Sequence, residues 1–369
     1  MTAPRRVLIA GGGTGGHLMP ALSLAAELDR RGEGFEPVLV GAVRGVEARL
    51  LPTRDYRYHL LPSEPIYRRT WWKNVRWPLI AGQLLRRVEE LFAEEQPVAV
   101  LGTGGYASGP VVWWATRHGV PAAIQEQNAF PGLASRLLSR RVRHVYLGLP
   151  EARHLLRFGR DTRVFDTGNP ITPPSPERRP DARRLFGLDG SRPVVLMTGG
   201  SQGALAINLA VAGWVEAGGS RGLDVIWVTG RGTHEQFARH HRPPAITVVD
   251  FLDPMADGYA VADLVVSRAG MITVAELCAW GLPSILVPLP TAAADHQTHN
   301  ARVLAEAGAS QLLRQEALTP ASLGETIAGL LGDRARLAAM AERARARGRP
   351  HAATEIVSHL LTLVGRPGL

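Results

Sequence analysis

Short β-branched runs alternate with segments of helical period from one end of the chain to the other. "RRVLIA", "PVLVG", "VAVLG" and "PAAIQ" lie in the first half; "PVVLMT", "LDVIWVT", "AITVVD", "DLVVS" and "PSILVP" lie in the second. That alternation predicts an α/β protein whose parallel sheets are covered by helices on both faces. The proline-rich "GNPITPPSPERRP" (Gly168–Pro180) can continue neither a strand nor a helix, so it is the expected linker.

The two sides of that linker resemble each other. "VLIAGGGTGGH" near the start matches "VVLMTGGSQGA" at Val194–Ala204, and "VLGTGGYASGPVVWWATRHGVPAAI" parallels "VVSRAGMITVAELCAWGLPSIL". The simplest architecture with this echo is two Rossmann-like domains, their parallel sheets facing a central cleft. The expected division is 1–168 and 169–349. A last helix, about Ala352 to Val364 within 350–369, is expected to pack back across the linker onto the first domain.

Composition changes this picture little. With 45% hydrophobic and 20% charged residues, the 369-residue chain reads as globular rather than disordered. The net charge of +9 rests on arginine, since Lys73 is the only lysine. It is discounted as a sign of nucleic-acid binding, yet a basic surface still favours phosphates or an acidic lipid face. A single cysteine, Cys278, excludes an internal disulfide and fits a reducing compartment. The opening "MTAPRRVLIA" enters a strand at once and carries no leader pattern. The uncharged stretches Gln96–Thr116, Pro193–Val215 and Leu277–Ala294 are each broken by Gly, Pro or polar residues. None reads as a membrane span, so membrane contact is expected to be peripheral.

In "IAGGGTGGHLMPAL", Gly11, Gly13 and Gly16 satisfy the G-x-G-x-x-G spacing of a dinucleotide loop. That reading requires an acid at the end of the second strand to hold a ribose. Here "PVLVGAVRG" carries none, and Glu33 and Glu36 precede it. Tight strand-to-helix packing would explain the turn, but not five glycines followed by His17.

"GGSQGA" (Gly199–Ala204) is the stronger phosphate loop, with Ser201 adding a hydroxyl to amides that open a helix near Gly203. "SRAGMITVAEL" (Ser267–Leu277) places Met271, Ile272 and Thr273 at a helix start, with Glu276 one turn on. That carboxylate either accepts both hydroxyls of a ribose or serves as a favourable charge near a helix N-terminus.

In "ADHQTHNA" (Ala294–Ala301), Asp295, His296 and His299 do not complete a metal-ligand set. Gln297 and Asn300 read as sugar contacts, with helix capping as the alternative for Asp295. "QEQNAFPG" (Gln125–Gly132) puts Glu126 and Asn128 just after a strand, where open α/β sheets carry ligands. "YRRTWWKNVRWPLIAGQLLRR" (Tyr67–Arg87) sets Trp71, Trp72, Trp77, Leu79 and Ile80 among basic residues. It reads either as a membrane-surface segment or as a core-packing helix with a solvated basic face.

Seven of these pieces, "GGTGGHLMPAL", "GTGGYASGP", "EQNAFPG", "GNP", "GGSQGA", "RAGMITVAEL" and "DHQTHNA", occur in this order over nearly the whole chain. Together they resemble the MurG family of bacterial N-acetylglucosaminyltransferases. The resemblance implies a GT-B fold and the conversion of lipid I to lipid II in peptidoglycan synthesis. It implies a donor, UDP-N-acetylglucosamine, on the second domain and an undecaprenyl-diphospho-muramoylpentapeptide acceptor on the first.

By the same resemblance, Ser201, Gln202, Phe251, the main chain of Leu252, Met271, Ile272, Thr273, Val274, Ala275, Glu276 and Gln297 contact the donor. Thr14, Gly15, Gly16, Asn128 and Thr172 join them, and the Glu276 match holds the ribose. Gly13, His17, Gly104, Tyr106 and Ser108 fall on the acceptor side, with His17 and Glu126 as the catalytic pair.

An inverting transfer needs a base for the muramoyl 4-hydroxyl, and an imidazole can serve near neutral pH. The resemblance implies no catalytic metal or other cofactor, which is physically plausible because helix N-termini can take the leaving diphosphate charge. The implied location is the cytoplasmic face of the cell membrane, against anionic lipid and beside other cell-wall synthesis proteins. Two positions depart from the family pattern: Gln125 stands where His is common, and Thr172 where Arg is usual. Arg178 or Arg179 is the possible replacement for that charge. The alternatives in other classes are a UDP-N-acetylglucosamine 2-epimerase and a non-enzymatic nucleotide-sugar scaffold.

Overall fold

Val7, Leu8, Ile9 and Ala10 are all buried, although neighbouring residues of a strand face opposite ways. Such a run is stable only with a layer on each side of the sheet. Val7 and Ile9 enter one core with Leu24, Leu28 and Tyr146. Leu8 and Ala10 enter the other with Val88, Val111 and Val112.

The computed structural model describes residues 4–64, 72, 75, 77–200 and 202–365. Its chain divides into two units, Met1–Ile171 with His351–Leu369, and Thr172–Pro350.

The first unit runs β1 (Arg5–Ala10), α1 (Gly15–Arg31), β2 (Phe35–Ala42), α2 (Glu47–Leu50), β3 (Arg57–Leu61), α3 (Trp77–Glu95), β4 (Ala99–Gly102), α4 (Gly105–Arg117), β5 (Ala122–Glu126), α5 (Leu133–Leu138), β6 (His144–Leu147) and β7 (Arg163–Phe165). Its sheet has the order β3-β2-β1-β4-β5-β6-β7. Every pairing is parallel, with Val7 opposite Pro37 on one side and Ala99 on the other.

The second unit runs α6 (Arg179–Phe186), β8 (Val194–Thr198), α7 (Leu205–Glu216), β9 (Asp224–Val228), α8 (His234–Phe237), β10 (Ile246–Val249), α9 (Ala256–Val261), β11 (Leu264–Ser267), α10 (Met271–Trp280), β12 (Ser284–Leu286), α11 (His296–Glu306), β13 (Gln311–Leu312), α12 (Pro320–Gly332) and α13 (Arg334–Arg347). Its sheet, order β10-β9-β8-β11-β12-β13, is again wholly parallel. In both sheets the strand order reverses beside the first strand. Ligands of doubly wound folds bind at such a reversal, outside the carboxyl ends of the strands.

The last helix, α14 (Ala352–Thr362), returns to the first unit. Ile356, Val357 and Leu360 form its apolar stripe and are buried in the core that holds Leu24 and Leu28. Arg31 of α1 fastens it by donating to Thr354 O at 2.7 Å and Ser358 Oγ at 2.6 Å.

Helix α3 carries part of the aromatic-basic segment and packs one face into the core. Ile80, Leu84, Val88 and Leu91 are buried, so Ile80 belongs to the core and not to a surface patch. Leu79 is 77% exposed, Val75 74% and Trp72 57%. Trp71 and the Trp77 side chain lie outside the described residues. No described helix is long and apolar enough to cross a membrane.

Candidate active site

In the first unit, the turn after β1 is threaded against the turn after β4. Gly11 N donates to Val40 O at 3.0 Å, and Gly12 N to Gly104 O at 3.4 Å. Gly13 N donates to both carboxylate oxygens of Glu47, at 2.8 and 2.9 Å. Thr103 Oγ1 donates to His17 O at 2.9 Å.

Glycine is required sterically at two points here. Gly13 and Gly104 both sit at φ +92°. A Cβ on Gly13 would lie 2.5 Å from the Tyr106 ring, and one on Gly104 would lie 2.6 Å from His17 Cδ2. His17 is therefore seated against Gly104, while its Nδ1 lies 3.0 Å from Thr14 Oγ1. Thr14, Gly15 and Gly16 are exposed at the N-terminus of α1, where no acidic residue occupies the first turn. Backbone donors at such an end favour an anion.

Other expected residues take structural positions. Ser108 is 2% exposed, and a Cβ on Gly102 would lie 2.6 Å from its Oγ. It fills the seam between α4 and β4, so it does not face an acceptor. Glu126 Oε1 accepts from Asn128 N at 3.0 Å and Asn128 Nδ2 at 3.3 Å, while Oε2 accepts from Gly132 N at 2.9 Å. With both oxygens engaged, Glu126 shapes the loop and presents Asn128.

In the second unit the turn after β8 is built differently. Gly200 N donates to Thr198 Oγ1 at 3.2 Å, and Gly203 N donates to Gly200 O at 2.9 Å. Helix α7 begins at Leu205, two residues beyond the expected start. Gln202 is exposed, and Ser201 lies outside the described residues.

Asn208 went unnoticed in the sequence, because its partners lie on other elements. It is buried, accepts from Trp227 Nε1 at 2.9 Å, and donates to Thr229 O at 2.8 Å and Thr233 Oγ1 at 3.0 Å. These bonds lock α7 to β9 and the turn that follows.

After β11, helix α10 starts at Met271. Met271 and Val274 are buried in the core, so only their main chains could meet a ligand. Ile272, Thr273, Ala275 and Glu276 are half-buried. Glu276 Oε2 accepts from Tyr259 Oη at 2.9 Å. Burial pushes the Glu276 carboxyl up to about 7, although the bond from Tyr259 acts in the opposite direction.

Phe251 is exposed with the Arg231 guanidinium 4.7 Å from its ring centroid, and half-buried Leu252 follows. Gln297 Oε1 accepts from Leu289 N at 3.0 Å, which turns its amide nitrogen away from the backbone it anchors. Asn300 is wholly buried and donates to Ala269 O at 3.3 Å, so it braces the β11 turn and is not a sugar contact. Asp295 occupies the N-cap position of α11 and accepts from Thr298 Oγ1 at 2.6 Å.

Among the described residues, His59, Glu94 and Glu95 form the one metal-like cluster. Arg57 Nε stands 2.6 Å from Glu95 Oε1, and Arg6 Nη1 stands 3.2 Å from Oε2, so the cluster is built as an ion-pair network.

The sequence matches the glycosyltransferase family 28 N-terminal domain over residues 7–147 and the corresponding C-terminal domain over residues 194–356. A relative from Chlorobaculum parvum is 39% identical over 97% of this chain and 99% of its own. It is named as a UDP-N-acetylglucosamine–N-acetylmuramyl-(pentapeptide) pyrophosphoryl-undecaprenol N-acetylglucosamine transferase. The chain belongs to the MurG family. The solved MurG of Acinetobacter baumannii has a TM-score of 0.79 at 29% identity, covering 97% of this chain and all of that one. The fold is accordingly GT-B. A Listeria monocytogenes protein described as a UDP-N-acetylglucosamine 2-epimerase shares the fold alone, with a TM-score of 0.67 at 18% identity over 99% of each chain.

The two departures from the MurG pattern differ in kind. Gln125 is buried, and its Nε2 donates to Asn169 Oδ1 at 2.8 Å while its Oε1 accepts from Gln127 Nε2 at 2.5 Å. Asn169 Nδ2 in turn donates to Gln127 O at 3.1 Å, and Gln127 Nε2 also reaches Thr103 O at 2.6 Å. A carboxamide both donates and accepts, so Gln125 completes this network with a neutral group. Thr172, by contrast, is exposed, and Arg179 is exposed as well. Arg178 pairs with Asp257 of α9 at 2.6 Å, which commits its charge.

Replacing Gln125 by Leu removes the donor to Asn169 Oδ1 and the acceptor of one Gln127 N–H, both in a buried network. The expected cost is about 2–4 kcal/mol, measured as a lower urea midpoint, whereas Gln125→His should retain more of the stability.

Proposed function

We propose that this chain transfers N-acetylglucosamine from UDP-N-acetylglucosamine to the 4-hydroxyl of the muramoyl sugar of undecaprenyl-diphospho-muramoylpentapeptide, with inversion, in peptidoglycan synthesis. The observation carrying this reading is the 39% identity, over 97% of the chain, to a transferase of that name. The second unit supplies the donor residues. The turn after β8 and the N-terminus of α7 meet the diphosphate, Gln297 meets the sugar, and Glu276 accepts from the ribose hydroxyls. Phe251 and the main chain of Leu252 meet the base.

The first unit supplies the acceptor residues. His17 Nδ1 lies 3.0 Å from Thr14 Oγ1, and in the tautomer that donates from Nδ1 the lone pair sits on Nε2. Nε2 takes the proton of the 4-hydroxyl as that oxygen forms its bond to the anomeric carbon. The bond from that carbon to the diphosphate breaks, and UDP leaves with the electron pair. The leaving charge falls on backbone amides and helix N-termini, so the proposed reaction uses no metal ion. Exposed Trp72, Val75 and Leu79, set among arginines, support peripheral docking on an anionic cytoplasmic membrane face.

The deciding experiment is transfer of labelled N-acetylglucosamine to a short-chain lipid I analogue. Wild type should transfer it; conversion of UDP-N-acetylglucosamine alone to N-acetylmannosamine would instead identify an epimerase. In the same assay, His17→Ala should lower kcat by about a hundredfold or more while UDP-sugar binding persists, and an unchanged rate removes His17 from the mechanism.

The donor KM should depend on pH. A carboxyl raised to about 7 is protonated below that pH and loses acceptor capacity for the ribose. KM for UDP-N-acetylglucosamine should therefore rise as pH falls through about 7, and Glu276→Gln should flatten the profile. For membrane docking, co-sedimentation with anionic liposomes should drop when Trp72 and Leu79 become Ser. Equal binding by that variant and wild type would refute the surface.

A further inference from the structure

Glu47 opens α2 just beyond β2 and is completely buried. Its Oε1 accepts from Ala42 N at 2.8 Å and Gly13 N at 2.8 Å, and its Oε2 accepts from Gly13 N at 2.9 Å. Three glycines make room for it. A Cβ on Gly12 or on Gly45 would lie 2.1 Å from Oε1, and a Cβ on Gly41 would lie 2.3 Å from Cγ.

Among the described residues, no arginine, lysine or histidine forms an ion pair with this carboxylate. Burying one without a cation is costly unless hydrogen bonds compensate. An apolar side chain would fill the same hollow at less cost if packing were its only task. What an apolar side chain cannot do is accept the Gly13 amide, and that amide sets the turn leading into Thr14.

We propose that Glu47 is a positioning residue for the acceptor side of the reaction, acting through the glycine turn on His17. By engaging the Gly13 N–H it holds the turn from which Thr14 Oγ1 reaches His17 Nδ1 at 3.0 Å. It also sets a negative charge beneath the first half of the loop. Gly11, Gly12 and Gly13 already spend their amides internally. The amides of Thr14, Gly15 and Gly16, at the exposed N-terminus of α1, remain for an anion. This inference rests on His17 being the base.

The test measures kcat, the KM of each substrate and the melting temperature for the full-length Glu47→Gln and Glu47→Ala variants. Gln keeps one accepting oxygen but turns an NH2 group toward Gly13 N–H, so kcat should fall about tenfold; Ala loses every bond and should lose about a hundredfold. The acceptor KM should rise in both, with UDP-N-acetylglucosamine affinity within twofold of wild type. A purely structural role would lower the melting temperature while leaving kcat per folded molecule unchanged, and that result overturns the proposal. If Glu47→Ala does not fold, Glu47→Gln decides alone by the same criteria. Loss of transfer in His17→Ala with unchanged kcat in Glu47→Gln defeats this inference only. Full transfer by His17→Ala defeats the catalytic reading beneath it.

Discussion

In a sheet whose strands all run one way, every strand must be returned to the same end, so all strand-to-helix turns gather along one edge. Where the strand order reverses, the helices on either side leave toward opposite faces, and the turns at the strand ends are where a ligand can approach the backbone. That constraint organises both units. The turns after β1 and β4 in the first unit, and after β8 and β11 in the second, carry most of the residues assigned to the reaction. The glycines, the buried carboxamides and the short polar side chains of this protein largely answer one question: what satisfies the backbone at those ends.

The two units answer it differently. In the first, the turn after β1 is filled from below by Glu47, and the ends of β4 and β5 are tied to Asn169 by Gln127 and Gln125. Buried polar networks of this kind are rigid when every member is satisfied. In the second, among the described residues no carboxylate is bound beneath the turn after β8, and Asn208 holds the helix from behind. One supersecondary unit, used twice, thus yields two turns whose backbones are satisfied by different groups.

The positions that resisted reading share a cause. Glu47 lies outside the second strand, and only the chain's return past Ala42 carries it beneath Gly13. Tyr259 meets Glu276 across two helices seventeen residues apart in sequence, and neither segment names the other. Ser108 and Asn300 look like ligand groups because they are polar and sit in glycine-rich or polar motifs. Both are buried, and the seams they fill are visible only once helices are laid on strands. Ile80 and Leu79 are adjacent and similar, yet one is core and the other surface, because the helix turns 100° between them.

The amino-acid sequence by itself determined the alternation of strands and helices, the glycine turns, the return of the last helix and the family, since these rest on local pattern and ordered motifs. The tertiary structure alone decided which polar group satisfies which. Hydrogen-bond partners in a parallel fold come from turns separated by whole crossover connections. His17 was legible as a histidine after a glycine turn; that it rests on Gly104, bonds Thr14 and depends on a carboxylate from beyond the second strand is a property of the assembled sheet edge.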